Sequence, residues 1–125
     1  MGTAEYERGS KRLAAVTGSA GQKVVDGLRN ISPDFGRYIV EFAYGEIHSR
    51  PGLTMQQRQL ITIAALTALG NAQPQLKIHI AAAIHTGVKR DEIIEAIIQM
   101  AVYAGFPATL NGLSAAQEVF TASGL

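Results

Sequence analysis

The 125-residue sequence contains no cysteine and no tryptophan, and only four phenylalanines and four tyrosines. Without cysteine there is no disulfide, no thiolate nucleophile and no thiolate metal site. Charge is also scarce. Asp, Glu, Lys and Arg make up 17% of the chain, against ~25% in ordinary soluble domains. The eleven basic and ten acidic residues are mixed in order, leave a net charge of +1 and form no Lys/Arg block. That balance argues against nucleic acid as the main partner. No apolar run reaches the ~18 residues of a membrane span, and the polar start MGTAEYERGSKR is not a signal peptide. These absences lead to the expectation of a soluble, cytoplasmic protein that engages neither membrane nor nucleic acid.

What is present is apolar and helical. Apolar residues make up 47% of the chain. A monomer of this size has much surface for so few polar residues, so part of the apolar excess is expected at subunit contacts of a homo-oligomer. The length predicts a single domain over residues 1–125. Hairpin dipeptides between alternating runs are missing, while helical punctuation recurs, which predicts an all-α compact bundle of about six helices. The first, within 4–17, is expected to be weak, with residues 1–17 weakly ordered. A second, about 20–30, carries Val24, Val25 and Leu28 and stops before Ser32. Ser32 as N-cap and Pro33 at the first position then open a helix with Phe35, Ile39 and Phe42 at i, i+4, i+7. It must end by Arg50, because Pro51 pushes the residue before it out of the α region. Thr54 and Gln57 read as a capping box for a helix to Leu69, with Gly70 suited to the left-handed C′ position. From Leu60 to Leu69 this helix is apolar nearly all round. Pro74 to Gly87, Arg90 to Gly105 and Pro107 to about Phe120 complete the bundle, with short gaps and no repeat.

Three places bear chemistry. In YGEIHSRPGL, residues 44–53, Glu46, His48 and Arg50 alternate before a Pro-Gly stop. If the helix continues to Arg50, Glu46 and Arg50 form an ordinary i,i+4 pair. If the backbone straightens first, the three side chains point the same way and converge on a ligand. Arg58 lies one turn into the next helix, and two arginines near one loop match carboxylate geometry. His79 shares a helix face with Leu76, Ile80 and Ala83, which fits a hydrogen-bonded core histidine or an acid-base group lining a pocket. Tyr103 either fills a helix junction or donates its hydroxyl to an oxyanion. His85 falls elsewhere on the wheel, and the histidine spacings fit no standard metal motif, so no metal is expected.

Taken together, FAYGEIHSRPGLTMQQRQLITIAALTALG, QLKIHIAAAIHTGVKRDEIIEAIIQMAVYAGFPA and the closing AAQEVF resemble the carboxymuconolactone decarboxylase family. The resemblance implies the all-α fold of alkyl hydroperoxide reductase D-like proteins and a homo-oligomer, typically a hexamer. It implies decarboxylation of 4-carboxymuconolactone to 3-oxoadipate enol-lactone, a step of protocatechuate breakdown, without a cofactor. Arg50 and Arg58 would hold substrate carboxylates, Tyr103 or His48 would stabilise the lactone oxygen, and His79 or Glu46 would reprotonate carbon. Two departures stand out. The peroxidase branch of the superfamily carries a Cys-x-x-Cys pair, and here those positions are Ala72 and Gln75, which disfavours thiol peroxidase activity. His48 stands where pathway decarboxylases carry an aromatic such as tryptophan, which puts the substrate in question. A same-fold isomerase or hydrolase acting on another small carboxylated substrate, and a non-catalytic oligomeric binding protein, are the competing readings. The sharpest expectation is that His79 and residues 46–50 serve one site.

Overall fold

A computed structural model describes residues 2–125, and among them it has seven α-helices, one π-helix and no strand. The chain falls into an N-terminal unit ending at Met55 and a C-terminal unit, Gln56–Leu125.

The N-terminal unit contains α1 (Ala4–Thr17), α2 (Ala20–Gly27), α3 (Pro33–Tyr38) and the π-helix (Ile39–Ile47). The segment expected to be weak is tied down at its start. The Thr3 hydroxyl accepts from Tyr6 N at 2.9 Å, capping α1, and donates to Glu41 Oε2 at 2.6 Å. That bond, and after it Arg37, hold the Glu41 carboxyl below the usual carboxylate range. Further along, α1 buries Gly9, Leu13 and Val16 and crosses the π-helix backbone to backbone. A Cβ at Gly9 would lie 1.9 Å from Val40 O, and one at Gly45 would lie 2.4 Å from Glu5 O.

Ser32 and Pro33 open α3 as expected, with Ser32 Oγ accepting from Phe35 N at 3.2 Å. The single helix expected from there to Arg50 does not form. The α-turns stop at Tyr38 and i→i+5 bonding takes over, ending with His48 N donating to Ala43 O at 2.9 Å. The inward positions are Gly36, Val40, Tyr44 and Gly45, while Phe35 and Phe42 are 56% and 63% exposed. Close backbone crossing explains the difference. Gly45 must sit against α1 and Gly36 lies beside Val25 of α2, so the Phe35, Ile39, Phe42 stripe is not the core face.

Met55 begins α4 (Met55–Leu69), and the C-terminal unit continues with α5 (Gln73–His85), α6 (Arg90–Ala104) and α7 (Phe106–Ala122). Its core is Ile63, Leu76, Ile80, Ala83, Val88, Ile93, Ile97, Ala115, Ala116 and Phe120, each large aliphatic contributing about 1.5–3 kcal/mol through burial. Local chemistry sets the boundaries. Gly70 ends α4 at φ +76°, and Glu92 Oε1 accepts from Lys89 N at 2.9 Å where α6 starts. On the outside, Lys77 pairs with Glu118 at 2.8 Å and Arg90 lies over the Phe120 ring. The buried stripe of α4 is Gln59, Ile63 and Thr67, while Ile61 and Leu69 are exposed. Among the described residues no helix is long and apolar enough to cross a membrane.

Candidate functional site

The π-helix positions Glu46 and His48. Its last carbonyls need donors from outside the helix ladder. The Arg50 N–H goes to Ile47 O at 3.1 Å, and Arg8 Nε donates to Gly45 O at 2.7 Å. Arg8 Nη2 also reaches Glu46 Oε1 at 3.5 Å, an exposed ion pair worth roughly 0–1 kcal/mol by itself. Its value is positional, since the guanidinium is already fixed by the Gly45 carbonyl. Glu46 lines a shallow cavity of about 290 Å³ with Glu5, Arg37 and Glu41.

His48 is half-buried and its ring stacks on Tyr44, with centroids 4.7 Å apart and planes 16° apart. Ser49 Oγ donates to Tyr44 O at 2.5 Å, closing the turn behind it. Because helical backbone persists through His48, Glu46 and His48 stand two residues apart on a helix and do not face each other. The straightened backbone that would align residues 46, 48 and 50 is therefore not what forms. Arg50 is exposed just past the turn.

In the C-terminal unit His79 is half-buried on α5, and its Nδ1 meets Gln59 Oε1 of α4 at 3.1 Å. In the tautomer protonated at Nδ1, His79 donates this bond to the Gln59 carbonyl oxygen. Gln59 is fully buried, and its Nε2 has no acceptor among the described residues. Leaving such a donor unsatisfied costs about 1–3 kcal/mol, so an apolar residue would suit the core better. The His79 bond is the evident use of the amide. Arg58 is half-buried one residue before it. Tyr103 stands 77% exposed near the end of α6, and His85 is exposed at the end of α5. No group of three or more His, Cys, Asp or Glu among the described residues is placed to hold a metal.

A sequence model of the carboxymuconolactone decarboxylase family matches residues 33–118. The chain belongs to that family. A 4-carboxymuconolactone decarboxylase of Acinetobacter baylyi is 37% identical over 121 residues, covering 96% of this chain and 90% of its own. A nitrosuccinic acid decarboxylase of Metarhizium robertsii is 35% identical over 117 residues, 90% of this chain and 79% of its own. A 15.0 kDa protein of Paracoccus denitrificans is 34% identical over 94 residues, 74% and 70% of the two chains. The family segment holds Glu46, His48, Arg50, Arg58, His79 and Tyr103, together with Tyr44 and Gln59. Arg8 lies outside it, and no motif marks it. Gln59 gave no signal of its own, because it is the last of the polar run Gln56, Gln57, Arg58, Gln59 that opens α4.

Tyr44 gives this family member a pH signature. Burial pushes its phenol up to about 12, from an ordinary 10. The folded state therefore prefers the neutral phenol. The stability this adds is fully present below pH 10 and is lost as pH rises through about 12, up to about 2–3 kcal/mol. Denaturant midpoints at pH 9 and pH 12 should therefore fall further for the wild type than for Tyr44→Phe, which has nothing to titrate there. Parallel losses in the two proteins would remove Tyr44 as the cause.

Proposed function

We propose that this chain is a cofactor-free decarboxylase of the 4-carboxymuconolactone type, converting a carboxylated lactone to an enol-lactone with loss of carbon dioxide. The observation that carries the reading is the buried Gln59 amide holding His79 Nδ1, in a chain 37% identical over nearly its whole length to a 4-carboxymuconolactone decarboxylase. The substrate supplies its own electron sink. The carbon–carboxylate bond breaks, carbon dioxide leaves, and the electron pair is delocalised through the double bond onto the lactone carbonyl. A proton on carbon then completes the enol-lactone. His79 is the donor, giving the Nε2 proton while Gln59 keeps Nδ1–H in place. Arg50 and Arg58 serve the carboxylates. His48 or Tyr103 donates to the lactone oxygen, and Glu46 is the alternative proton donor. The nitrosuccinic acid relative fits the same logic, since a nitro group also accepts the electron pair left by a departing carboxylate.

We also infer a homo-oligomer, hexameric as in the wider family. Val102, Tyr103, Phe106 and Leu110 are each more than 60% exposed on α6 and α7, an apolar set that a lone subunit would leave in water. Tyr103 then gains its surroundings from a neighbouring copy. The test is a spectrophotometric assay on enzymatically prepared 4-carboxymuconolactone, with mass measured by light scattering in the same buffer. Loss of substrate with carbon dioxide release from a hexamer is expected. Conversion without carbon dioxide would favour an isomerase or hydrolase, and no conversion would favour a binding protein. A monomer at micromolar concentration would sink the oligomer.

A further inference from the structure

The N-terminal unit carries two faces of opposite charge. On α1, Arg8, Lys11, Arg12 and Ala15 stand at i, i+3, i+4 and i+7, and so on one face. With Ser49 and Met55 they line a cavity of about 390 Å³. Arg8 is engaged by the Gly45 carbonyl and Glu46. Lys11 and Arg12 form no ion pair with any described carboxylate. The other face is the shallow cavity of about 290 Å³, where Glu5, Glu41 and Glu46 meet a single guanidinium, Arg37. Arg37 is shared between Glu41 and Asp34, and Glu5 pairs with no described cation. Tyr38 and Phe42 complete the wall of this cavity. Both are exposed, and no described cation lies over the Phe42 ring. An aromatic ring beside carboxylates suits a cation, and Lys11 with Arg12 suits carboxylates. Each face supplies what the other lacks.

We propose that the N-terminal units of two copies of this chain dock on each other across a twofold axis, Lys11 and Arg12 of each entering the Glu5 and Phe42 cavity of the other. The proposal rests on the homo-oligomer reading and adds a contact to it. A hexamer with dihedral symmetry needs two kinds of contact, one around its threefold axis and one across its twofolds. The apolar set on α6 and α7 supplies one, and this surface supplies the other. A twofold contact is isologous, so its surface must be complementary to itself. Glu5 precedes Lys11 and Arg12 by about two turns of α1. A second α1 laid antiparallel therefore brings carboxylate to cation at both ends. Arg8 lies midway, and its charge is already met by Glu46, which limits repulsion at the axis. Tyr38 and Phe42 leave water in the same step. The whole surface lies inside the N-terminal unit.

The test is particle mass by light scattering of the full chain at micromolar concentration. It compares the wild type, the double reversal Lys11→Glu with Arg12→Glu, the reversal Glu5→Lys, all three substitutions together, and Lys23→Glu. Lys23 is an exposed lysine of α2 outside both cavities and is the charge control. Melting curves by circular dichroism confirm that each variant is folded. Either reversal sets like charges against each other and is expected to halve the wild-type mass, from hexamer to trimer. The three substitutions together should restore full mass, because carboxylate and cation have only traded places. Lys23→Glu should leave the mass unchanged. Full mass in either reversal would overturn the proposal, as would half mass in the triple exchange. A wild-type dimer that splits into monomers on reversal would overturn the hexamer and leave this contact standing. A wild-type monomer would overturn both.

Discussion

Replacing His79 with glutamine is expected to lower turnover of 4-carboxymuconolactone by ~10²–10⁴-fold without changing the fold or the oligomer mass. The substitution keeps an amide that can still bond Gln59, so the contact between α5 and α4 survives. What it removes is the imidazole, a ring that can give up a proton where an amide cannot. The burial of Gln59, with one amide nitrogen left without an acceptor, argues against a purely structural pair, because packing alone favours an aliphatic residue there. The pH profile separates the two roles. In the wild type kcat should follow a single ionisation that the variant lacks, whereas a histidine that merely fills space would leave the profile in place. Turnover within twofold of the wild type would reduce His79 to a core residue and move the proton donor to Glu46.

The second large effect is on stability. Gly9→Ala is expected to destabilise the protein by about 3 kcal/mol, the upper end of ordinary overpacking. The added methyl would lie 1.9 Å from Val40 O, 2.8 Å from Val40 C and 2.9 Å from Gly45 N. All three are backbone atoms, so no side-chain rotation relieves the clash and the helices must separate. That separation would pull Arg8 from the Gly45 carbonyl and loosen the seat of Glu46, so activity should fall together with the melting temperature. Gly27→Ala is the matched control. Nothing lies within 4 Å of its added methyl, and the loss of unfolded-state freedom should stabilise slightly, by roughly 0.4–1 kcal/mol. Equal melting temperatures for Gly9→Ala and the wild type would mean that α1 does not pack on the π-helix as described.

Helix ends were legible in the residues because each is decided within about four positions. Ser32 caps α3, Pro33 starts it and Gly70 ends α4, all through bonds or dihedrals local to the turn. The lack of cysteine excluded thiol chemistry by composition, and the run from Phe42 to Phe120 carried the family. The face that each helix turns inward was less legible. The i, i+4, i+7 spacing of Phe35, Ile39 and Phe42 does not mark the inward face, since Gly36, Val40 and Tyr44 are inside, on the side where Gly9 of α1 meets the Val40 backbone.

The sequence by itself determined that the chain is helical, where several of its helices begin or stop, and that thiol chemistry is absent. Only the tertiary structure decided how the candidate site residues are held. The partner of His79 is Gln59, twenty positions away, and the partner of Glu46 is Arg8, thirty-eight positions away. The switch from α- to π-turns at Ile39 accompanies the Gly9 crossing on another helix. No periodicity within one helix contains such information. A pairing across elements depends on which backbones come close, and packing of the whole chain sets that distance.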